Sequence, residues 1–140
     1  MRWLLDTVTL SVTRRPDRAP TEVIRWLEAR NPFSLYLSAI TIFEIELGTR
    51  RKERSDAAQG SDLRGWVTQV NEAFAGRILP IDELVAAHAA GLHVPDPKPE
   101  RDALIAATAH VHNLTIVTRN TRNFETLGVP LLNPWDEAQG

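Results

Sequence analysis

The sequence predicts an α/β domain built around a parallel sheet. Two observations carry that reading. Short apolar runs alternate with longer segments of helical periodicity, and an acid or an amide stands just after two of those runs. In such sheets ligands sit beyond the carboxyl ends of the strands, so Asp6 and Asn120 mark the expected site. At 140 residues the chain has the length of one domain, spanning 1–140.

The elements follow in order. Arg2 to Leu5 is a short apolar strand closed by Asp6. Thr7 to Thr13 shows no decisive period, and Arg14 to Pro20 is a polar loop punctuated by prolines. Thr21 caps a helix whose Val23, Ile24, Trp26 and Leu27 recur at helical spacing, and Asn31-Pro32 ends it. Ser34 to Leu37 is a second strand. Ser38 to Arg54 is a helix entered through Ser38 or Thr41, and Ser55 to Asp62 reads as a surface loop. Leu63 to Phe74 is helical, Arg77 to Ile81 a strand, and Asp82 opens a helix to about Leu92. Pro95, Pro97 and Pro99 form a rigid connection. An alanine-rich helix covers Arg101 to His112 and a strand Leu114 to Thr118, before a last apolar stretch at Val129 to Leu132.

Composition narrows the function classes. Hydrophobic residues make up 43% and charged residues 24%, ordinary for a globular core. No run approaches the roughly 18 apolar residues of a membrane span, and Asp6 interrupts the N-terminal run too early for a signal peptide. The absence of cysteine excludes disulfides and thiolate chemistry and fits a cytoplasmic setting. Net charge is −2, so the chain is not a basic nucleic-acid coat. Of its 16 basic residues only Lys52 and Lys98 are lysines, which leaves fourteen arginines, the side chain whose planar fork suits phosphate. High-GC coding explains that bias equally well.

Asp6, Glu44 and Asp102 are the candidate chemical residues. Each has a structural account when taken singly. Asp6 can cap the turn after its strand. Glu44, in an apolar stretch of helix, needs an arginine or a metal. Asp102 is a first-turn helix acid, favoured by the helix dipole. Together they suggest a carboxylate cluster that would need a cation among them. Oxygen donors without histidine or cysteine suit Mg²⁺ or Mn²⁺. Phosphodiester hydrolysis is the chemistry such a site commonly serves. The histidine pairs His88/His93 and His110/His112 lack the spacing of a zinc helix, and no Gly-rich phosphate loop is present. The basic runs Arg14-Arg15, Arg18 and Arg50-Arg51-Lys52-Arg54 could steer RNA or simply face solvent. Arg119 is the better phosphate contact, unless it pairs with Glu125.

Leu4-Leu5-Asp6-Thr7, Leu37 to Thr41 leading to Glu44, Gly76 to Pro80, the run from Asp102 to Ala109, Val117 to Asn120 and Leu132 to Trp135 occur in an order that resembles the PIN-domain toxins of VapC and FitB type. The resemblance covers nearly the whole chain; the run from Asp102 and the following Thr-Arg-Asn are its specific parts. It implies a three-layer α/β/α fold with a mainly parallel sheet, and a metal-dependent endoribonuclease, usually dimeric, held inactive by a cognate VapB/FitA-like antitoxin. Operator DNA would be reached only through that antitoxin, in a heterotetramer or larger. By the same resemblance Asp6, Glu44 and Asp102 fall on core acidic positions and Asn120 on a fourth ligand position. Thr7 and Thr118 fall on hydroxyl positions that line the same site; apart from the resemblance, Thr7 and Arg119 are the candidates for contact with the substrate phosphate. Two departures stand out: Val8 replaces a usual asparagine, and Asn123 a frequent aspartate. With fewer acids, one tightly held ion is expected. A catalytically impaired module that binds its antitoxin and regulates its operon is the alternative. A receiver-like phosphoacceptor fits poorly, since Lys52 and Lys98 lie away from the required position.

Overall fold

Alternation along the strands sets the layers. In the computed structural model, which describes residues 1–136, Trp3 and Leu5 of β1 (Trp3–Leu5) enter one core cluster and Leu4 enters another. Leu35 and Leu37 of β2 (Leu35–Ser38) join the first cluster while Tyr36 packs on the second; Val117 and Ile116 of β4 (Thr115–Val117) divide likewise. Each strand thus buries both faces, as parallel strands between helical layers must. With β3 (Ile78–Leu79) and β5 (Leu131–Leu132) they form a five-stranded sheet in the order β3-β2-β1-β4-β5, every pairing parallel.

Helices cover both faces. Trp26 of α2 (Thr21–Glu28), Ile45 of α3 (Ala39–Ser55) and Val67 of α4 (Ala57–Ala73) fill the first cluster. Trp3 and Trp26 meet edge to face there, with ring centroids 5.0 Å apart. Ile105, Ala106 and Ala109 of α6 (Glu100–His112) fill the second, and α5 (Glu83–Leu92) packs on α6 through Val85, Ala89 and Ala107. The fully buried alanines of α6 let its backbone lie close against the sheet.

Several boundaries differ from the sequence reading. Thr7–Ser11 forms a one-turn helix, α1, capped by Asp6 and continued by a 3₁₀ turn at Val12–Arg14. Thr21 is the first residue of α2, not its cap, a place taken by Pro20. The expected loop at 55–62 is largely helix. Only Asp56 breaks the chain between α3 and α4, and its carboxylate accepts from the Gln59 N–H at 3.1 Å. Gly60 misleads a sequence reader because it signals a turn. Here it is a contact residue: a Cβ at that position would lie 2.5 Å from the Glu53 Cα, so only glycine lets the two helices meet. Arg64 then clamps Glu46 at 2.8 Å and Glu53 at 2.9 Å across the same corner.

Because β4 follows β3 in sequence yet lies on the far side of β1, the connections diverge at the carboxyl ends of β1 and β4. That crevice is where ligands collect in open α/β sheets.

Candidate active site

Asp6 leaves β1 and enters α1 at this crevice. It is only 5% exposed, and its Oδ1 accepts the Thr9 N–H at 2.8 Å. The local fold therefore fixes the carboxylate by an N-cap bond. The Thr9 hydroxyl donates to the Val117 carbonyl at 2.9 Å, tying the turn to β4. Burial pushes the Asp6 carboxyl up; hydrogen bonding from Thr118 and from Thr9 opposes this, and the charge of Glu44 adds to the rise.

Glu44 approaches from α3. Thr7 Oγ1 donates to its Oε1 at 2.7 Å, and Arg101 Nη1 lies 3.5 Å from its Oε2. Arg101 is thus one cation beside Glu44, the first of the two kinds that the sequence left open. Arg101 also stacks over the exposed Phe43 ring, 4.9 Å from its centroid. Its position is a sign that sequence reading passed over: a cation in the first turn of α6 opposes the helix dipole and calls for a nearby anion. Glu46, two residues on, instead pairs with Arg50 and Arg64 on the solvated side.

Asp102 comes from the first turn of α6. Burial raises its carboxyl, and the charges of Glu44 and then Asp6 push the same way. Mutual repulsion among the three acids is therefore part of the geometry. Asn120 follows β4; its N–H donates to the buried Thr118 hydroxyl at 2.9 Å. Asp6, Thr7, Glu44, Asp102, Asn120 and Asn123 line one cleft of about 90 Å³, with Val8, Ile105 and Phe124 as its apolar walls. Thr118 lies beneath, and Arg119 points away, its guanidinium 5.6 Å from the Trp135 ring. That ring contact replaces the pairing with Glu125 considered from sequence.

The acids line the cleft without closing into a coordination set. Among the described residues no group of three or more Asp, Glu, His or Cys side chains stands ready to hold an ion. Glu44 is engaged by Thr7 and Arg101 and not by either of the other two acids. The donor chemistry still fits a hard cation: three carboxylates and two amides, all offering oxygen, with two carboxyls raised by burial and crowding that a positive ion would relieve.

The histidines lie elsewhere. His88 and His110 stack across α5 and α6 with centroids 4.0 Å apart, and His93 Nδ1 accepts the Lys98 N–H at 3.0 Å.

The chain is similar to known proteins over nearly its whole length. The PIN domain model matches residues 4–129. Toxin FitB of Neisseria gonorrhoeae is 38% identical over 96% of this chain and 99% of its own length. VapC ribonuclease Y4jK of Sinorhizobium fredii is 34% identical over 96% and 99%. The crystal structure of FitAcB from Neisseria gonorrhoeae superposes with a TM-score of 0.86 at 37% identity, covering 95% of this chain and 98% of the other. With the family model spanning most of its length and strong likeness to both relatives, the chain belongs to the PIN-domain family.

Proposed function

We propose that this chain is the toxin of a type II toxin–antitoxin system, acting as an endoribonuclease that depends on Mg²⁺ or Mn²⁺. The single observation that carries the reading is the cleft in which Asp6, Glu44, Asp102 and Asn120, from four different elements, face one another. The names of the relatives, a toxin and a ribonuclease, support the same activity. Asp6, Glu44 and Asp102 would hold the ion, and when bound it would acidify a water and neutralise charge building on the phosphate. The chain's own side chains prepare that chemistry. The Thr9 N–H fixes Asp6, Thr7 orients Glu44, and Thr118 fixes the backbone that carries Asn120. The Asn120 amide would position a ligand or the attacking water, Thr7 would steady the phosphate in the cleft, and Arg119, which lines the neighbouring groove, would meet a flanking phosphate. With amides at Asn120 and Asn123, one ion is held tightly.

A catalytically impaired module is less favoured, because the similar proteins are named as a toxin and a ribonuclease. We assign a cognate VapB/FitA-like antitoxin as partner, with a homodimer as the toxin's own assembly, one domain per chain and a cytoplasmic setting. Among the described residues no helix is long and apolar enough to cross a membrane.

The test is RNA cleavage by the purified chain. Cleavage should require Mg²⁺ or Mn²⁺, stop in excess EDTA and be lost in Asp102→Asn with the fold intact. Undiminished cleavage in EDTA or by that variant refutes the assignment.

A further inference from the structure

Beside the acid cleft lies a second groove of about 370 Å³, and Val8 forms a wall of both. Its lining brings together Arg14, Arg15, Arg18, Arg119 and Trp135. We propose that this groove is a subsite for single-stranded RNA, seating a nucleotide next to the scissile phosphate, its base against Trp135 and its phosphates on the arginines. The proposal rests on the ribonuclease reading above.

Four arginines and no acid line this groove in a chain whose net charge is −2, so the patch is local and not a reflection of bulk charge. Among the described residues the ion pairs engage Arg50, Arg64 and Arg101, and none of these four. Arg14 and Arg15 also border another groove that holds Asp62, but within this groove like charges stand together, and a polyanion relieves their repulsion. The acid cleft alone would turn an RNA strand away. A basic groove sharing its wall supplies the attraction that holds the strand there. Arg119 directly precedes Asn120 of the acid cleft, so one short loop spans the two sites.

The aromatic ring decides the kind of ligand. Trp135 is half-buried, and Arg119 lies 5.6 Å from its centroid, an arrangement of ring and guanidinium suited to stacking an unpaired base. The volume falls within the roughly 300–1,000 Å³ of small-ligand sites. A duplex keeps its bases stacked internally and gains nothing from Trp135, so the groove selects single strands.

The experiment uses the full chain in EDTA with a fluorescein-labelled single-stranded RNA, read by anisotropy over a salt series and by tryptophan fluorescence. Wild type should bind with quenching, and more tightly than it binds a duplex of the same sequence. Arg119→Gln should weaken binding and lower the slope of log K against log salt by about 0.7. Trp135→Leu should weaken binding roughly tenfold and remove most of the quenching. Circular dichroism checks each fold, and Arg119→Gln decides the matter if Trp135→Leu unfolds. Variants that bind RNA like wild type overturn the subsite, as does unchanged RNA binding coupled to lost affinity for an antitoxin, which would assign the groove to a protein. Absence of cleavage by wild type with Mg²⁺ would instead refute the ribonuclease reading while the binding data judged the groove separately.

Discussion

At the residue scale, the site works by holding acids where they would rather not be charged. Thr7 is the clearest positioning residue, since its hydroxyl donates to Glu44 Oε1 at 2.7 Å. Thr7→Val should weaken Mn²⁺ binding by about 10- to 100-fold, as loss of groups supporting metal ligands generally does, and isothermal titration measures it. Asp102 tests the crowding. Its carboxyl lies above the ordinary 3.8, so between that value and its native one the fold holds a proton that the unfolded chain has released. Stability of the metal-free protein therefore falls as pH rises through that interval. Asp102→Asn should raise the melting temperature by a few degrees at pH 7, with the gap closing as pH drops toward 3.8. A lower melting temperature at pH 7 would deny the cost of burying and crowding this carboxylate. Asp6 was legible because an acid directly after an apolar strand has few ordinary explanations. Arg101 was not, because its pairing with Glu44 joins two helices far apart in sequence.

At the element scale, close approach of helices explains both what sequence could show and what it could not. Apolar periodicity located α2, α3, α5 and α6, but the turn signal of Gly60 disguised the first turn of α4. The glycine is buried against Glu53, a contact between neighbouring helices that no local pattern encodes. Gly60→Ala should destabilise the protein by about 1–3 kcal/mol through overpacking. Gly48→Ala, where an added Cβ meets nothing within 4 Å, should stabilise it by about 0.5–1 kcal/mol through helix propensity. Urea unfolding of the two variants measures the contrast. The His88–His110 stack gives the α5–α6 pair a pH response. Burial and the charge of His110 depress His88 below 6.5, so the unfolded chain takes up that proton first. Stability is full above 6.5 and declines as pH falls through the native value. His110→Gln should lessen the decline in thermal melts taken below pH 6.5, burial of His88 keeping the remainder.

At the scale of the whole molecule, the strand order β3-β2-β1-β4-β5 converts residues scattered from Asp6 to Asn123 into one cleft. Strand ends pointed to Asp6 and Asn120 from sequence. The gathering of Glu44 and Asp102 around them depends on helix packing, which only the assembled fold displays. It also shows how the chain neutralises Glu44, through Thr7 and Arg101. The central claim is that these acids act together as one metal site. Calorimetric titration of Mn²⁺ into wild type, Asp6→Asn and Asp102→Asn tests it most directly. One ion should bind per wild-type chain, with proton release that increases as pH is lowered toward the raised carboxyl values, and each variant should lose that binding. Binding of Mn²⁺ to both variants with wild-type affinity would contradict the account.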